Sequence, residues 1–198
     1  MRNQLLCSLL LISASGAIAQ EFHLSGGYNG SNVREAGAEN WVGRAGYQFG
    51  ADVLLGQRWF VKPGIHFMVR NLNYTYSDGT DINAIEYKYT SRMLSIPVML
   101  GLNLMDPATD PEINAYVMGG PTALMHLNAD LNNSSLTAET SKTQWYLGFA
   151  GGLEASFLFA EAGYNIAMTN VFKGKEFQTN PEVNYVYALL GVRLRLAK

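Results

Sequence analysis

The histidines are the residues of this chain best suited to chemistry. His23, His66 and His126 are far apart in the sequence, so no His-x-x-x-His pair or EF-hand spacing predicts a metal site. A Ser-His-acid hydrolase needs a serine hydroxyl beside an imidazole. Gly-x-Ser-x-Gly is absent, and we expect no serine next to a histidine on a neighbouring strand. The sequence therefore predicts no catalytic residue, no metal site and no cofactor, and we expect that the chain is not an enzyme.

A second set of reactive side chains consists of polar and charged residues that stand singly along the chain. They are His23, Arg44, Asp52, Lys62, His66, Arg70, Glu154, Glu161, Arg193 and Arg195. Each lies in a segment where polar and apolar residues alternate, and successive side chains of a β-strand point to opposite faces. We therefore predict that these residues share the polar face of one sheet.

Alternation of this kind marks eight segments. The clearest are 41–55 and 59–69, which Leu55-Gly56-Gln57-Arg58 joins as a hairpin. The others are 94–104, 144–157, 158–168 and 186–196, with weaker alternation in 21–29 and 113–128. Long polar connections alternate with short turns, which is typical of outer-membrane barrels with both termini on the short-turn, periplasmic side. The predicted fold is all-β, an eight-stranded antiparallel up-and-down transmembrane β-barrel.

The amino-acid composition favours a barrel whose outer surface faces lipid. Hydrophobic residues make up 48% of the chain and charged residues only 15%, which is low for a soluble surface. Beyond the first twenty residues no apolar run approaches the roughly 18 residues of a membrane-spanning helix. Trp41, Trp59 and Trp145 stand near strand ends, where an interfacial aromatic girdle would place them. A soluble lipocalin-like barrel remains the alternative, because it shows the same alternation.

The first nineteen residues have the features of a cleaved signal peptide. A short basic start is followed by an apolar stretch from Leu5 to Ile12, and Ala17-Ile18-Ala19 is a small-x-small cleavage site. We predict cleavage after Ala19, which leaves residues 20–198 as one barrel domain. Cys7 is the only cysteine, so the exported chain would contain none and no disulfide.

The interior of an eight-stranded barrel is just wide enough for side chains to fill it. Buried charges need partners, because an unpaired one costs several kcal/mol. We predict one ion-pair cluster of Glu154, Glu161, Arg193 and Arg195 near the periplasmic rim, in a plugged lumen that also contains Arg44, Asp52, Lys62, His66 and Arg70. A narrow pore or a ligand cavity is the alternative.

The predicted outer loops are where a binding function would be placed on a rigid scaffold. Segments 77–84 and 129–141 are polar and are candidate sites for an extracellular ligand. The other expected partners are outer-membrane lipid and, during biogenesis, periplasmic chaperones and the barrel-insertion machinery. A net charge of -2 gives no support for nucleic-acid binding.

Several motifs resemble those of one family. They are the hairpin of 46–64, Leu94-Ser95-Ile96-Pro97-Val98, Tyr116-Val117-Met118-Gly119-Gly120-Pro121, the 148–154 strand, and Gly163-Tyr164-Asn165-Ile166-Ala167-Met168-Thr169-Asn170. In this order the chain resembles the PorT-like outer-membrane β-barrel proteins, within the OmpA/OmpX-like eight-stranded class. The resemblance implies a non-enzymatic structural or interaction role in the outer membrane of a Gram-negative bacterium, with an association with secretion machinery.

Overall fold

The chain forms a closed antiparallel barrel in which each strand pairs with its sequence neighbours and β1 pairs with β8. The structure is a computed structural model that describes residues 20–33, 39–76, 85–106, 109, 112–131, 143–169 and 183–195. The strands are β1 (Gln20–Val33), β2 (Glu39–Gly56), β3 (Trp59–Tyr76), β4 (Ile85–Asn103), β5 (Ile113–Leu131), β6 (Thr143–Ala155), β7 (Leu158–Ala167) and β8 (Val183–Arg195). The predicted fold class is therefore confirmed. The predicted signal peptide, residues 1–19, lies outside the described residues.

Side chains alternate between the interior and the outer surface, as the sequence pattern requires. In β7 and β8 nearly every second residue is buried. Large apolar side chains cover the outside, with Phe49 54%, Trp59 66% and Leu190 71% exposed. Trp145 is also exposed, whereas the side chain of Trp41 lies outside the described residues. Because charges are enclosed and large apolar groups face outward, the soluble-barrel alternative is wrong.

Several strands are longer than the alternation indicates. The prediction starts β4 at residue 94, whereas its pairing with β3 begins at Ile85. The register shift in the β4–β5 pair adds Leu127 to β5, whereas β4 keeps its odd-numbered side chains buried from Ser91 to Asn103. The apolar–polar alternation is instead lost before residue 94 because the even positions there are polar, namely Glu86, Lys88, Thr90 and Arg92.

Both tight turns lie at the end of the barrel that contains Gln20 and Arg195. The β2–β3 turn requires Gly56, whose φ is 121°. A Cβ atom there would lie 2.3 Å from the carbonyl oxygen of Trp59, which no side chain can tolerate. The β6–β7 turn contains Ser156, with φ 54°. We call this end the short-turn end, which in outer-membrane barrels faces the periplasm.

The core lies inside the barrel. One apolar cluster lies in the half of the barrel away from the short-turn end, which we call the upper half. It contains Met68, Met93, Leu124, Tyr146, Ala167, Tyr185, Tyr187 and Leu189. A second, nearer the short-turn end, contains Leu54, Phe60, Met99, Tyr116 and Met118. Among the described residues, no helix is long and apolar enough to cross a membrane. The two apolar clusters leave the remaining interior to polar groups.

Candidate functional site

The polar interior is arranged in three levels along the barrel. The rim cluster, at the short-turn end, consists of Glu21, His23, Glu154, Arg193 and Arg195. The central cluster consists of Asp52, Lys62, His66, Tyr116, Glu161 and Tyr187. The upper cluster consists of Arg70, Ser91, His126, Gln144 and Tyr146. Strand alternation places these side chains inside, and the register of neighbouring strands determines which of them meet.

The central cluster is built on an ion pair across the barrel axis. Lys62 Nζ lies 2.6 Å from Glu161 Oε2, and both side chains are buried. Lys62 is on β3 and Glu161 on β7, which are opposite strands of the eight-membered ring. The ammonium also lies 5.7 Å from the ring centroid of Tyr116 and 5.3 Å from that of Phe159, so it has cation–π contacts as well.

Hydrogen bonds satisfy both oxygens of the Glu161 carboxylate. Tyr116 donates to Oε2 at 2.7 Å, and Tyr187 donates to Oε1 at 3.0 Å. On the other side of Lys62, Asp52 Oδ2 lies 3.8 Å from the ammonium. Asp52 Oδ1 is 2.8 Å from His66 Nε2. A buried ion pair is tolerated when its remaining lone pairs are occupied in this way. The sequence reasoning did not identify Tyr116 or Tyr187, although Tyr187 stands on the polar face of its strand.

The rim cluster joins β1, β6 and β8. Arg193 Nη1 contacts Glu154 Oε2 at 2.6 Å, and Arg193 Nε donates to the Ser156 carbonyl oxygen at 2.6 Å. Arg195 Nε donates to Glu21 Oε1 at 3.0 Å. His23 is fully buried between these groups and lies against the ring of Phe159, with 4.5 Å between ring centroids.

The four residues predicted as one ion-pair cluster do not meet as one. Glu154 and Arg193 are in contact, Arg195 pairs with Glu21, and Glu161 lies in the central cluster. The register is the physical reason. Glu161 pairs with Leu189, and the β7–β8 ladder begins at Leu158 and Val192, so Arg193 lies beyond the start of β7.

Arg44 is a second correction. The sequence places it in the lumen with Asp52, Lys62, His66 and Arg70, and those four side chains are buried. Arg44 is exposed. The β2–β3 register shifts between Arg44 and Tyr47, so alternation counted from the rest of β2 does not extend through this bulge.

The upper cluster contains a serine–histidine contact that the sequence reasoning missed. Ser91 Oγ lies 2.9 Å from His126 Nδ1, and His126 Nε2 lies 2.8 Å from the Gln144 amide nitrogen. The sequence prediction begins this strand at residue 94, whereas β4 begins at Ile85 and includes Ser91, which explains why the contact is not predicted. The third group is an amide and not an acid, and Ser91 is fully buried. This contact therefore lacks the acid and the accessible nucleophile of a Ser-His-acid hydrolase.

A small internal cavity of about 30 Å³ lies against the central cluster. Among its lining atoms, His66 Nδ1, Thr122 Oγ1 and Asn165 Oδ1 are buried without a hydrogen-bond partner. One water molecule needs roughly 10–15 Å³ measured in this way and two or more polar partners. The cavity thus fits one or two waters, whereas ligand sites occupy roughly 300–1,000 Å³.

Comparison with known proteins agrees with this geometry. Residues 15–173 match the family model described as outer membrane protein beta-barrel domain. The chain belongs to this family. No curated protein matches it significantly.

Two solved structures show the same fold. OprG from Pseudomonas aeruginosa has a TM-score of 0.62 at 11% sequence identity, covering 91% of this chain and 97% of that one. Ail of Yersinia pestis, solved with the heparin analogue sucrose octasulfate, has a TM-score of 0.51 at 15% identity, covering 88% of this chain and 99% of that one. Both likenesses show that this chain shares its barrel fold with these two outer-membrane proteins.

Proposed function

We propose that this outer-membrane barrel is a non-enzymatic, non-conducting scaffold whose closed interior holds its strands in one register. The observation that carries the proposal is the Lys62–Glu161 ion pair at 2.6 Å between opposite strands. A charged contact across the axis occupies the space through which ions would pass.

Polar contacts at other levels reinforce this closure. Arg70 on β3 donates to the Tyr146 hydroxyl on β6 at 3.3 Å, and its guanidinium lies 5.4 Å from the ring centroid of Tyr185. At the short-turn end, Arg193 joins Glu154. Water-filled porins use 16 or more strands, whereas eight strands leave an interior that side chains can fill. The internal cavity of about 30 Å³ is too small to hold a ligand, which argues against the alternative that the barrel binds a ligand in its interior.

Conductance in planar bilayers tests the proposal. Purified full-length protein, folded in detergent as judged by heat-modifiable gel migration, is added to the bilayer at the same concentration as a 16-stranded porin. We expect stepwise conductance from the porin and none from the wild-type chain. The double variant Lys62→Ala/Glu161→Ala, which removes the axial contact, is expected to conduct more than wild type. Reproducible wild-type steps would contradict the proposal.

Binding at the outer loops is the interaction role we propose for the scaffold. Residues 77–84 and 132–141 lie outside the described residues, and 129–131 belong to β5 and not to a loop. Segments 77–84 and 129–141 contain Asp78, Asp81, Asp130 and Glu139 and no lysine or arginine. Their charge favours a neutral or cationic ligand over a polyanion. Deletion of 77–84 or of 132–141 should reduce binding to host or partner cells, whereas added sucrose octasulfate should not compete.

Membership of the PorT-like group, an association with secretion machinery and a Gram-negative source rest on the sequence resemblance alone and belong to the same proposal. Export by a cleaved signal peptide is also part of this proposal. Mass spectrometry of the chain from outer-membrane fractions should find Gln20 as its first residue. Crosslinking in these membranes should capture proteins of the secretion machinery. If no such protein is crosslinked to the chain, the association is contradicted.

A further inference from the structure

We propose that the rim cluster binds a divalent transition-metal ion of the zinc type at the short-turn end. The ligands are Glu21 Oε2, His23 Nε2 and Glu154 Oε1. They come from β1 and β6, so no ligand spacing in the sequence indicates the site. One atom from each side chain lies within 4.8 Å of the other two.

The distances between these atoms suit a metal. His23 Nε2 is 3.5 Å from Glu21 Oε2 and 3.9 Å from Glu154 Oε1. The second is too long for a hydrogen bond, and the first is longer than the usual range of about 2.7–3.2 Å. Zinc binds imidazole nitrogen and carboxylate oxygen at roughly 2.0–2.2 Å in tetrahedral sites, so its ligand atoms lie about 3.3–3.6 Å from one another. The two distances from His23 are therefore close to those of a zinc site, and the two carboxylate oxygens lie within 4.8 Å of each other.

Unpartnered buried atoms point to the same position. His23 is 0% exposed and neither of its ring nitrogens has a hydrogen-bond partner. Glu154 is 2% exposed, and its Oε1 also has no partner. A buried polar group left without a partner is destabilising. A cation between His23 Nε2 and Glu154 Oε1 would give each of these two atoms a partner.

The arginines of the rim cluster orient the two carboxylates. Arg193 Nη1 and Asn114 Nδ2 contact Glu154 Oε2, at 2.6 and 3.0 Å, which leaves Oε1 for a metal. Arg195 Nε contacts Glu21 Oε1 at 3.0 Å, while Glu21 Oε2 lies 3.7 Å from Arg193 Nη1, beyond hydrogen-bond distance. Outer-shell hydrogen bonds to ligating carboxylates are a regular feature of metal sites. Because the two arginines also balance the charge of the two carboxylates, we expect weaker binding than in a structural zinc site with four protein ligands.

The chemistry of the donors selects the ion. One imidazole and two carboxylates, without a thiolate, suit zinc and its first-row neighbours. Three protein ligands leave a fourth position for water. An open concavity of about 730 Å³ lies at the short-turn end and is lined by Glu112 and Ser156 and by Arg193 and Arg195, the two arginines that contact the carboxylates.

Metal titration of the full chain in detergent tests the site, using protein purified without a histidine tag. We expect calorimetry with Zn²⁺ alone to show one ion per chain and Co²⁺ to give the intense absorption of a four-coordinate complex. Zn²⁺ should also raise the unfolding temperature. A spectrum of hexa-aquo Co²⁺, or no heat of binding, would overturn the proposal.

Variants locate the ion. His23→Gln and Glu21→Gln should each weaken Zn²⁺ binding at least tenfold, since loss of even an outer-shell partner costs about 10–100-fold. His126→Gln, an imidazole in the upper cluster, and Glu112→Gln, a carboxylate beside the same concavity, are the matched controls and should bind as wild type does. Glu21 is partly exposed, so Glu21→Gln provides the result if His23→Gln does not fold. Unchanged binding in Glu21→Gln, or equal loss in the two controls, would overturn the assignment.

Discussion

The central cluster and the rim cluster use the same kinds of charged side chains with opposite outcomes. In the central cluster both oxygens of Glu161 accept hydrogen bonds, and Lys62 is enclosed by carboxylates and aromatic rings. In the rim cluster Glu154 Oε1 and both ring nitrogens of His23 have no hydrogen-bond partner, and Glu21 Oε2 lies 3.5 Å from His23 Nε2 and 3.7 Å from Arg193 Nη1. The first arrangement closes the barrel, and the second leaves room for an additional ligand. The two clusters differ in how completely their charged groups are paired, and not in how much charge they contain.

Breaking the central cluster should have the largest effect. Glu161→Ala removes the carboxylate 2.6 Å from buried Lys62, leaving only Asp52 at 3.8 Å, and it leaves two tyrosine hydroxyls without their acceptor. We expect the free energy of unfolding to fall by about 3–5 kcal/mol. Urea unfolding in detergent, followed by heat-modifiable gel migration, measures it. Arg58→Ala, at an exposed turn position, is the control and should change stability by less than about 0.5 kcal/mol. Equal stability of the two variants would contradict the importance of the axial pair.

Removing both charges of that pair should be less harmful than the single changes suggest. Lys62→Met leaves Glu161 with its two tyrosine donors, and Lys62→Met/Glu161→Gln leaves neither charge buried alone. We expect the double-mutant cycle of Lys62→Met and Glu161→Gln to show a coupling free energy of about 0.5–3 kcal/mol. Simple additivity of the two unfolding free energies would mean that the 2.6 Å contact contributes little.

The register between strands explains which features of the structure could be predicted from the sequence and which could not. Eight strands and their outer apolar face could be predicted, because period-two alternation is a local property of each segment. Which charges meet depends on the offset between strands. That offset pairs Glu161 with Leu189 and directs it to Lys62 on the opposite strand, away from Arg193.

Bulges limit the prediction in a second way. Each adds a residue to one strand of a pair, so counting by two fails beyond it. This is why Arg44 is exposed. The Ser91–His126 contact was missed for a different reason, because Ser91 lies before the predicted start of its strand. The rim ligands could not be found either, because β1 and β6 meet only across the interior of the closed barrel.

Within the rim cluster, Arg193 should contribute more to the free energy of unfolding than its position at the end of the barrel suggests. Arg193→Met removes the guanidinium from Glu154 Oε2 and from the Ser156 carbonyl oxygen. Hydrogen bonds to charged groups contribute roughly 1.5–3 kcal/mol, so we expect a loss of that size in urea unfolding. This is smaller than for Glu161→Ala, because Asn114 still donates to Glu154. A loss equal to that of Glu161→Ala would remove the difference between the clusters.

Arg195 should give the smallest effect of the series. Its side chain is 38% exposed and its partner Glu21 is 16% exposed, so water and salt screen the 3.0 Å contact between them. We expect Arg195→Ala to lower the unfolding free energy by at most about 1 kcal/mol, and less at high salt. Unfolding at low and high salt, with Arg193→Met measured beside it, checks this. A salt-independent loss as large as that of Arg193→Met would show that the Arg195–Glu21 contact is as well shielded from water as the contacts of Arg193.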